Sequence, residues 1–574
     1  MIRMKHRGAC LVVGSMGLLL SAAGLGAAGS ELRLMEAVKK ADAAAVKAVL
    51  QQRVDVNASE PDGMTALHWA VRHDDLASVD LLIRAGANVN AANRFGITPL
   101  SLACTNGNAT MIERLLKAGA DPNDASPEGQ TSVMTAARTG KVNALKVLIA
   151  HGADVNAKEN WKKQTALMWA AAENNAQAVK TLIEAGAAVN ERSHAGFTPL
   201  MFAIRAGHIE TVRALLDEGA DPNDYVRPSE AWKFAIRPGS APDAELDGSY
   251  AVGLAIINAH YDVALALIEK GADPNVPNAN GSFLHALSWM RRPGTTRQPP
   301  PTPTGNIDSL VLAKALLDHG ANPNVRNVWK EKKITNLRSE VQMPPNIPIG
   351  RNYISFVGAT AFYLASKHTD VAYMRLLLQH GADPLIPTVQ GVTPLMAAAG
   401  LTFWDGESAG PESGVTPAES LEAVRLLWEL GSDVNAVADF GDISILEGDP
   451  YYLIMNNPIN IDSLPATSTV NGKTTPVWGD MRWAGSSVLH GAAVRGQTDI
   501  IQFLVDKGAR LDAKNKLGWT PLTVAEGMFF AQTFKESIDA AILIRKLMIE
   551  RGLDPSQSPI CPICARDLKA AAGP

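Results

Sequence analysis

Cysteine is scarce. The 574 residues contain four, at positions 10, 104, 561 and 564, too few and too far apart to form a disulfide framework, so stability must come from packing. Aromatic residues make up only 6% of the chain, which leaves small and aliphatic side chains to build the core. A net charge of -5 without a dominant basic block gives no electrostatic footprint for duplex nucleic acid. No phosphate loop, His-Glu-x-x-His or Gly-x-Ser-x-Gly occurs, so no motif names an enzyme class, and neither a catalytic centre nor a cofactor is expected. Beyond the first thirty residues no apolar run is long enough to span a membrane.

Those first residues have the pattern of a secretory signal. Arg3, Lys5 and Arg7 precede an apolar run from Ala9 to Leu20 and a small-residue stretch from Ser21 to Ser30. Cleavage near Ala27 or Ala28 removes three basic charges and takes the net charge from -5 to -8. The alternative is an anchor kept between Ala9 and Ala28, but its glycine-rich second half suits a cleavage region better than a membrane helix. The expected localisation is therefore periplasmic or secreted, with no membrane contact after cleavage.

The dominant signal is a repeat. Thr65, Thr98, Thr131, Thr165 and Thr198 recur at spacings of 33, 33, 34 and 33. Each opens a short small-residue pattern, a Gly or Asn break, a second apolar pattern and a Gly-Ala-Asp/Asn-x-Asn turn such as Gly119 to Asn123. Threonine is a good N-cap and proline tolerates the first helical position, so Thr98-Pro99 and Thr198-Pro199 start helices. Ala70, Ala103 and Ala203 allow close helix approach, and Gly86, Gly119, Gly152 and Gly186 suit the left-handed stop of the second helix. No such unit buries its apolar face alone, so the units must stack.

These lines, Thr65-Ala66-Leu67-His68, Thr98-Pro99-Leu100 and Thr198-Pro199-Leu200 above all, resemble the ankyrin repeat family. The resemblance implies an all-α ankyrin-repeat solenoid of helix-turn-helix repeats with β-hairpin fingers. About twelve repeats including caps are anchored near Leu34, Thr65, Thr98, Thr131, Thr165, Thr198, Tyr250, Ser282, Thr360, Thr393, Ser487 and Thr520. A regular array is expected over 31–223 and an elaborated one over 249–552, followed by a tail, 553–574. Segments 224–248, 326–357 and 441–484 interrupt the period at finger positions, and 291–306 and 401–417 fall between paired helices.

The resemblance also implies a protein partner, met by residues that stacking leaves free, just before the Thr and seven or eight places after it. In the regular array these are Arg72, His73, Arg94, Phe95, Arg138, Trp161, Lys162, His194, Phe197 and Arg205, and in the second array Lys367, His368, Trp483 and Trp519. Their aromatic and basic mixture suits an acidic or amphipathic partner. Trp69, Trp169 and Phe202, four places after the Thr, are expected in the core. His68, His285 and His490 share one position near the helix cap and are assigned a local hydrogen bond there, not a metal. Cys561-Pro562-Ile563-Cys564 has the spacing of a redox pair or half a zinc site; a local disulfide is the plainer reading, and a redox or metal accessory role through it is the alternative function. An enzymatic site built from the insertions is a further alternative.

Overall fold

In the computed structural model the described residues are 31–226, 250–276, 281–291, 302–327, 358–402, 415–439, 483–527 and 536–559, with the backbone of short strands between some of them. The repeat around Thr98 shows how sequence becomes structure. Thr98 sits in extended backbone, and its hydroxyl accepts the Ser101 N–H at 3.1 Å, satisfying an orphan donor at the start of helix Pro99–Asn106. Gly107 ends that helix at φ +79°, and the Asn108 side chain caps the second helix, Ala109–Lys117, through the Met111 N–H at 3.1 Å. Gly119, at φ +95°, then turns the chain out of the helix. Twelve such helix pairs run from 31–39 with Ala43–Leu50 to Pro521–Glu526 with Ile538–Glu550.

Within each of the chain's two compact units, first helices pack on first helices and second helices on second helices, giving two layers whose core is built from small and aliphatic side chains, including Ala70, Ala103 and Ala203 in the first unit. The chain divides into two compact units, one up to Asp221 and one from Pro222 onward.

In both units successive turns are joined by an asparagine ladder. Asn90 donates from Nδ2 to the Gly119 carbonyl (2.9 Å) and accepts the Asp121 N–H at Oδ1 (2.9 Å), so one amide binds a donor and an acceptor of the following turn. Asn57, Asn123, Asn156 and Asn190 repeat the pattern in the first unit. Asn223, Asn275, Asn324 and Asn435 do so in the second. Leu385 occupies the corresponding place in one turn, and its apolar side chain cannot form the link.

A second bridge comes from three histidines. His285 Nδ1 accepts the Ser282 N–H at 3.0 Å, and Nε2–H donates to the Ala359 carbonyl at 3.0 Å, 74 residues on. His490 joins Ser487 to the Trp519 carbonyl, and His68 joins Thr65 to the Ile97 carbonyl. The cap bond expected from the sequence is present, and the far nitrogen adds a link to the next repeat that local reasoning missed. This bonding requires a neutral ring protonated on Nε2.

The insertions at 326–357 and 441–484 leave the stack through closed bases, and their edges belong to the array. Arg326 Nε donates to the Gly358 carbonyl (2.9 Å), and the Asn327 N–H bonds the Ala359 carbonyl (2.9 Å), so residues 326 and 327 are repeat, not insertion. Ala438 and Ser486 close the segment at 441–484 in the same way, leaving Trp483 and Ala484 in the core. Arg291 lies at the start of 291–306, where its guanidinium pairs with Asp370 (2.7 and 3.0 Å) and donates to Ser309 (2.8 Å). Two-stranded pairing at Lys332–Ile334 with Val341–Met343, and three-stranded pairing of Ile443–Ile445, Leu453–Met455 and Trp478–Gly479, occur within insertions. A hairpin of Met528–Phe530 with Thr533–Lys535 interrupts the last repeat. The repeats themselves are helical.

Asn123→Ala removes both ladder bonds to the next turn and should lower unfolding stability by roughly 1–3 kcal/mol; an unchanged urea midpoint would show that the ladder merely accompanies stacking. Burial pulls His285 and His490 down from 6.5 to about 4, and His68 also below its ordinary value. The unfolded chain then takes up protons between pH 6.5 and 4 that the folded chain refuses, so this contribution is complete above pH 6.5 and is lost as pH falls toward 4. The loss should be on the order of a few kcal/mol for the pair, and His490→Gln should flatten the dependence of the urea midpoint on pH across that window.

Candidate partner-binding face

The fingers of the first unit hold one another in register. Arg94 N–H donates to the Asp62 carbonyl (3.0 Å), Asn160 N–H to Glu128 (2.8 Å) and His194 N–H to Lys162 (2.7 Å). Within a finger, Asn93 Oδ1 accepts the Phe95 and Ile97 N–H groups (2.9 and 3.0 Å), a side-chain cap that turns Arg94 and Phe95 outward. Arg72, His73, Arg94, Phe95, Arg138, Trp161, Lys162, His194 and Arg205 are all exposed, and Phe197 is half-buried. Among the described residues Trp161 is the most exposed of the large apolar side chains, at 74%.

Finger length explains Trp161. The 34-residue spacing places an extra residue in this finger, which closes from Glu159 N–H to the Gln164 carbonyl, whereas the preceding finger closes from Ser126 to Gln130. Lys163 takes a left-handed φ of +54°, and the buried Glu159 carboxylate gathers the N–H groups of Trp161, Lys162 and Gln164 at 2.7, 2.7 and 2.9 Å. With its backbone held this way, the Trp161 ring projects into solvent.

Cations on this face rest on aromatic rings. Arg94 lies over Phe95 at 4.6 Å, Arg72 over Trp69 at 5.3 Å, Arg138 over Trp169 at 5.2 Å, and Arg205 over both Phe197 and Phe202 at 5.5 Å. Phe202 is buried, as its position suggests, but Trp69 and Trp169 are only half-buried, which corrects the expectation that they are core. A first helix spans two turns, so the places four and seven after the Thr lie one turn apart on one side. The pairing of Trp69 with Arg72 was therefore readable from their spacing of three. Lys39 and Glu60, which also meet Trp69, carried no such local signal.

The second unit departs from the sequence reading. Trp483 is 0% exposed, Trp519 4% and His368 3%, and Lys367 is half-buried. Trp519 gives its carbonyl to the His490 bridge, Trp483 belongs to the closed base of an insertion, and the His368 and Trp289 rings meet in a T-shaped pair with centroids 5.1 Å apart.

Elsewhere the chemistry is structural. Cys104 is fully buried, and burial pushes its thiol well above the usual range. Nearby Asp124 accepts the Thr98 hydroxyl, and burial raises its carboxyl pKa. Among the described residues no group of three or more His, Cys, Asp or Glu side chains is arranged to hold a metal ion, and no helix is long and apolar enough to cross a membrane. Cys561, Cys564 and the N-terminal segment lie outside the described residues.

A family model of ankyrin repeats in three copies matches residues 34–126, 79–159 and 133–225, and one of ankyrin repeats in many copies matches 489–525. The chain is similar to human B-cell lymphoma 3 protein, 32% identical over 192 residues covering 33% of this chain and 37% of that protein. It is also similar to the mouse B-cell lymphoma 3 protein homolog, 31% identical over 172 residues (29% and 32%). Human mitochondrial disaggregase is 30% identical over 205 residues (34% and 24%). The matched stretch thus spans between a quarter and two fifths of these relatives. Together with the stacked helix pairs and finger turns, these matches identify residues 34–225 and 489–525 as members of the ankyrin-repeat family, and the fold as an ankyrin-repeat solenoid.

Proposed function

We propose that this chain is an exported, non-enzymatic interaction protein that holds a protein partner on the finger and first-helix face of its first unit. The observation that carries this reading is the row of exposed cations and rings from Arg72 to Arg205, held in place by finger-to-finger hydrogen bonds. Rigid aromatic and arginine side chains are the groups that most often supply binding energy at protein interfaces, and a pre-ordered surface avoids much of the entropic cost of association. Export rests on the charged, apolar and small-residue segments at the N-terminus.

The binding face is tested with Trp161→Ala, Arg94→Ala and Phe197→Ala combined. The triple variant should keep the unfolding free energy of the parent to within about 2 kcal/mol, since Trp161 and Arg94 are exposed and Phe197 is half-buried, while losing the partner captured from envelope and culture-supernatant fractions. Undiminished capture would remove this face from the interaction. Export is tested separately by sequencing the N-terminus of the accumulated protein: a start one or two residues after Ala27 supports cleavage, and a start at Met1 counts against it.

A further inference from the structure

Trp69 and Trp169 lie four places after a capping threonine, and each is met by a cation from the first helix before it. Lys39 Nζ is 4.6 Å from the Trp69 ring and Arg138 Cζ 5.2 Å from that of Trp169. The two cations share a register, each four residues ahead of its second helix, Ala43–Leu50 and Val142–Ala150.

At Trp69 a carboxylate completes the arrangement. Glu60 Oε2 accepts the indole Nε1–H at 2.8 Å, and Oε1 meets Lys39 Nζ at 2.5 Å. Glu60 opens its finger, its N–H bonding the Met64 carbonyl, and Glu159 has the same place in the finger ahead of Trp169. The Glu159 carboxylate, however, is taken up by three backbone N–H groups of its own longer finger. Trp169 Nε1–H is consequently buried without an acceptor, a costly state for a donor, and Arg138 makes no ion pair among the described residues. Arg114 and Lys117, on the second-helix side, are by contrast neutralised by Asp80 and Glu113.

We propose that Arg138 and Trp169 receive a side-chain carboxylate from the protein partner, reproducing in trans what Glu60 does for Lys39 and Trp69. This deepens the reading of the face as partner-binding and rests on it. The guanidinium turns from the ring to the carboxylate in a charge-assisted pair, and the indole N–H donates to the same group. Trp161, exposed on the finger of the same repeat, meets an apolar neighbour in the ligand. The partner segment is thus acidic and amphipathic, with an Asp or Glu beside an apolar residue.

The test uses the full chain with 15N-labelled tryptophan, the Trp169 and Trp69 indole signals being assigned by W169F and W69F. The probe is a peptide of three Gly-Glu-Leu-Ser units, compared with the same peptide carrying Gln for Glu. The Trp169 signal should shift saturably with the Glu peptide, at least about tenfold more weakly with the Gln peptide, and not at all in Arg138→Met; the Trp69 signal should stay in place. A Trp169 signal that ignores the Glu peptide, responds equally to both, or responds more strongly to a single-stranded oligonucleotide overturns the proposal. Capture lost in the Trp161, Arg94 and Phe197 variant but unaffected by Arg138→Met would overturn the carboxylate site while leaving the partner-binding face intact.

Discussion

One side-chain amide, recurring in most of the repeats, sets the spacing that the rest of the structure uses. The ladder asparagine binds both a carbonyl and an N–H of the following turn, and each of these would otherwise be a polar backbone group left to water at a helix end. Two bonds from one planar group fix orientation as well as distance. Within the first unit the linked groups are about one repeat apart in sequence; within the second, Asn435 reaches Arg510 across 75 residues with the same geometry. The stack is therefore maintained locally in space whatever the length of chain between repeats, because closing a longer loop adds little entropic cost.

That arrangement explains why insertions are accommodated at the finger and between paired helices. The finger insertions leave through bases closed by backbone bonds, as at Asn327 with Ala359 and Ala438 with Ser486, and a histidine near a helix cap can reach past an insertion to the next repeat, as His285 does. Side chains at the edges of insertions become structural as a result. Arg326 and Arg291 serve as anchors for the chain on either side, which is a different use of arginine from the exposed guanidiniums of the first unit.

The candidate face illustrates how a small change in backbone length redirects side-chain chemistry. Glu60 and Glu159 occupy one finger position, yet one serves a tryptophan and a lysine while the other caps amides of its own turn. The difference is a single residue in the finger, visible as the one spacing of 34 among the 33s. That residue also puts Trp161 into solvent, so the same irregularity exposes this ring and leaves the Trp169 N–H without its intramolecular carboxylate.

Much of the fold was legible because its determinants are local. Thr98-Pro99 starts a helix and Gly119 stops one through bonds and dihedral angles involving only near neighbours, and the period of 33 requires stacking. The placement of Arg94, Trp161 and His194 outside the core followed from the same period. What the sequence could not determine was contact between residues far apart along it. Trp69 and Trp169 look like core at a small-residue helix position and are half-buried, and Trp483 and Trp519 look like free finger residues and are buried, because the neighbours that cover or expose a ring come from other repeats. The sequence alone determined the repeat, its helix boundaries and the positions not needed for stacking, since these depend on groups within a few residues of one another. Only the tertiary structure decided which of those positions remain accessible, which histidine nitrogen reaches the next repeat and which carboxylate meets which cation, because those bonds join groups separated by tens of residues.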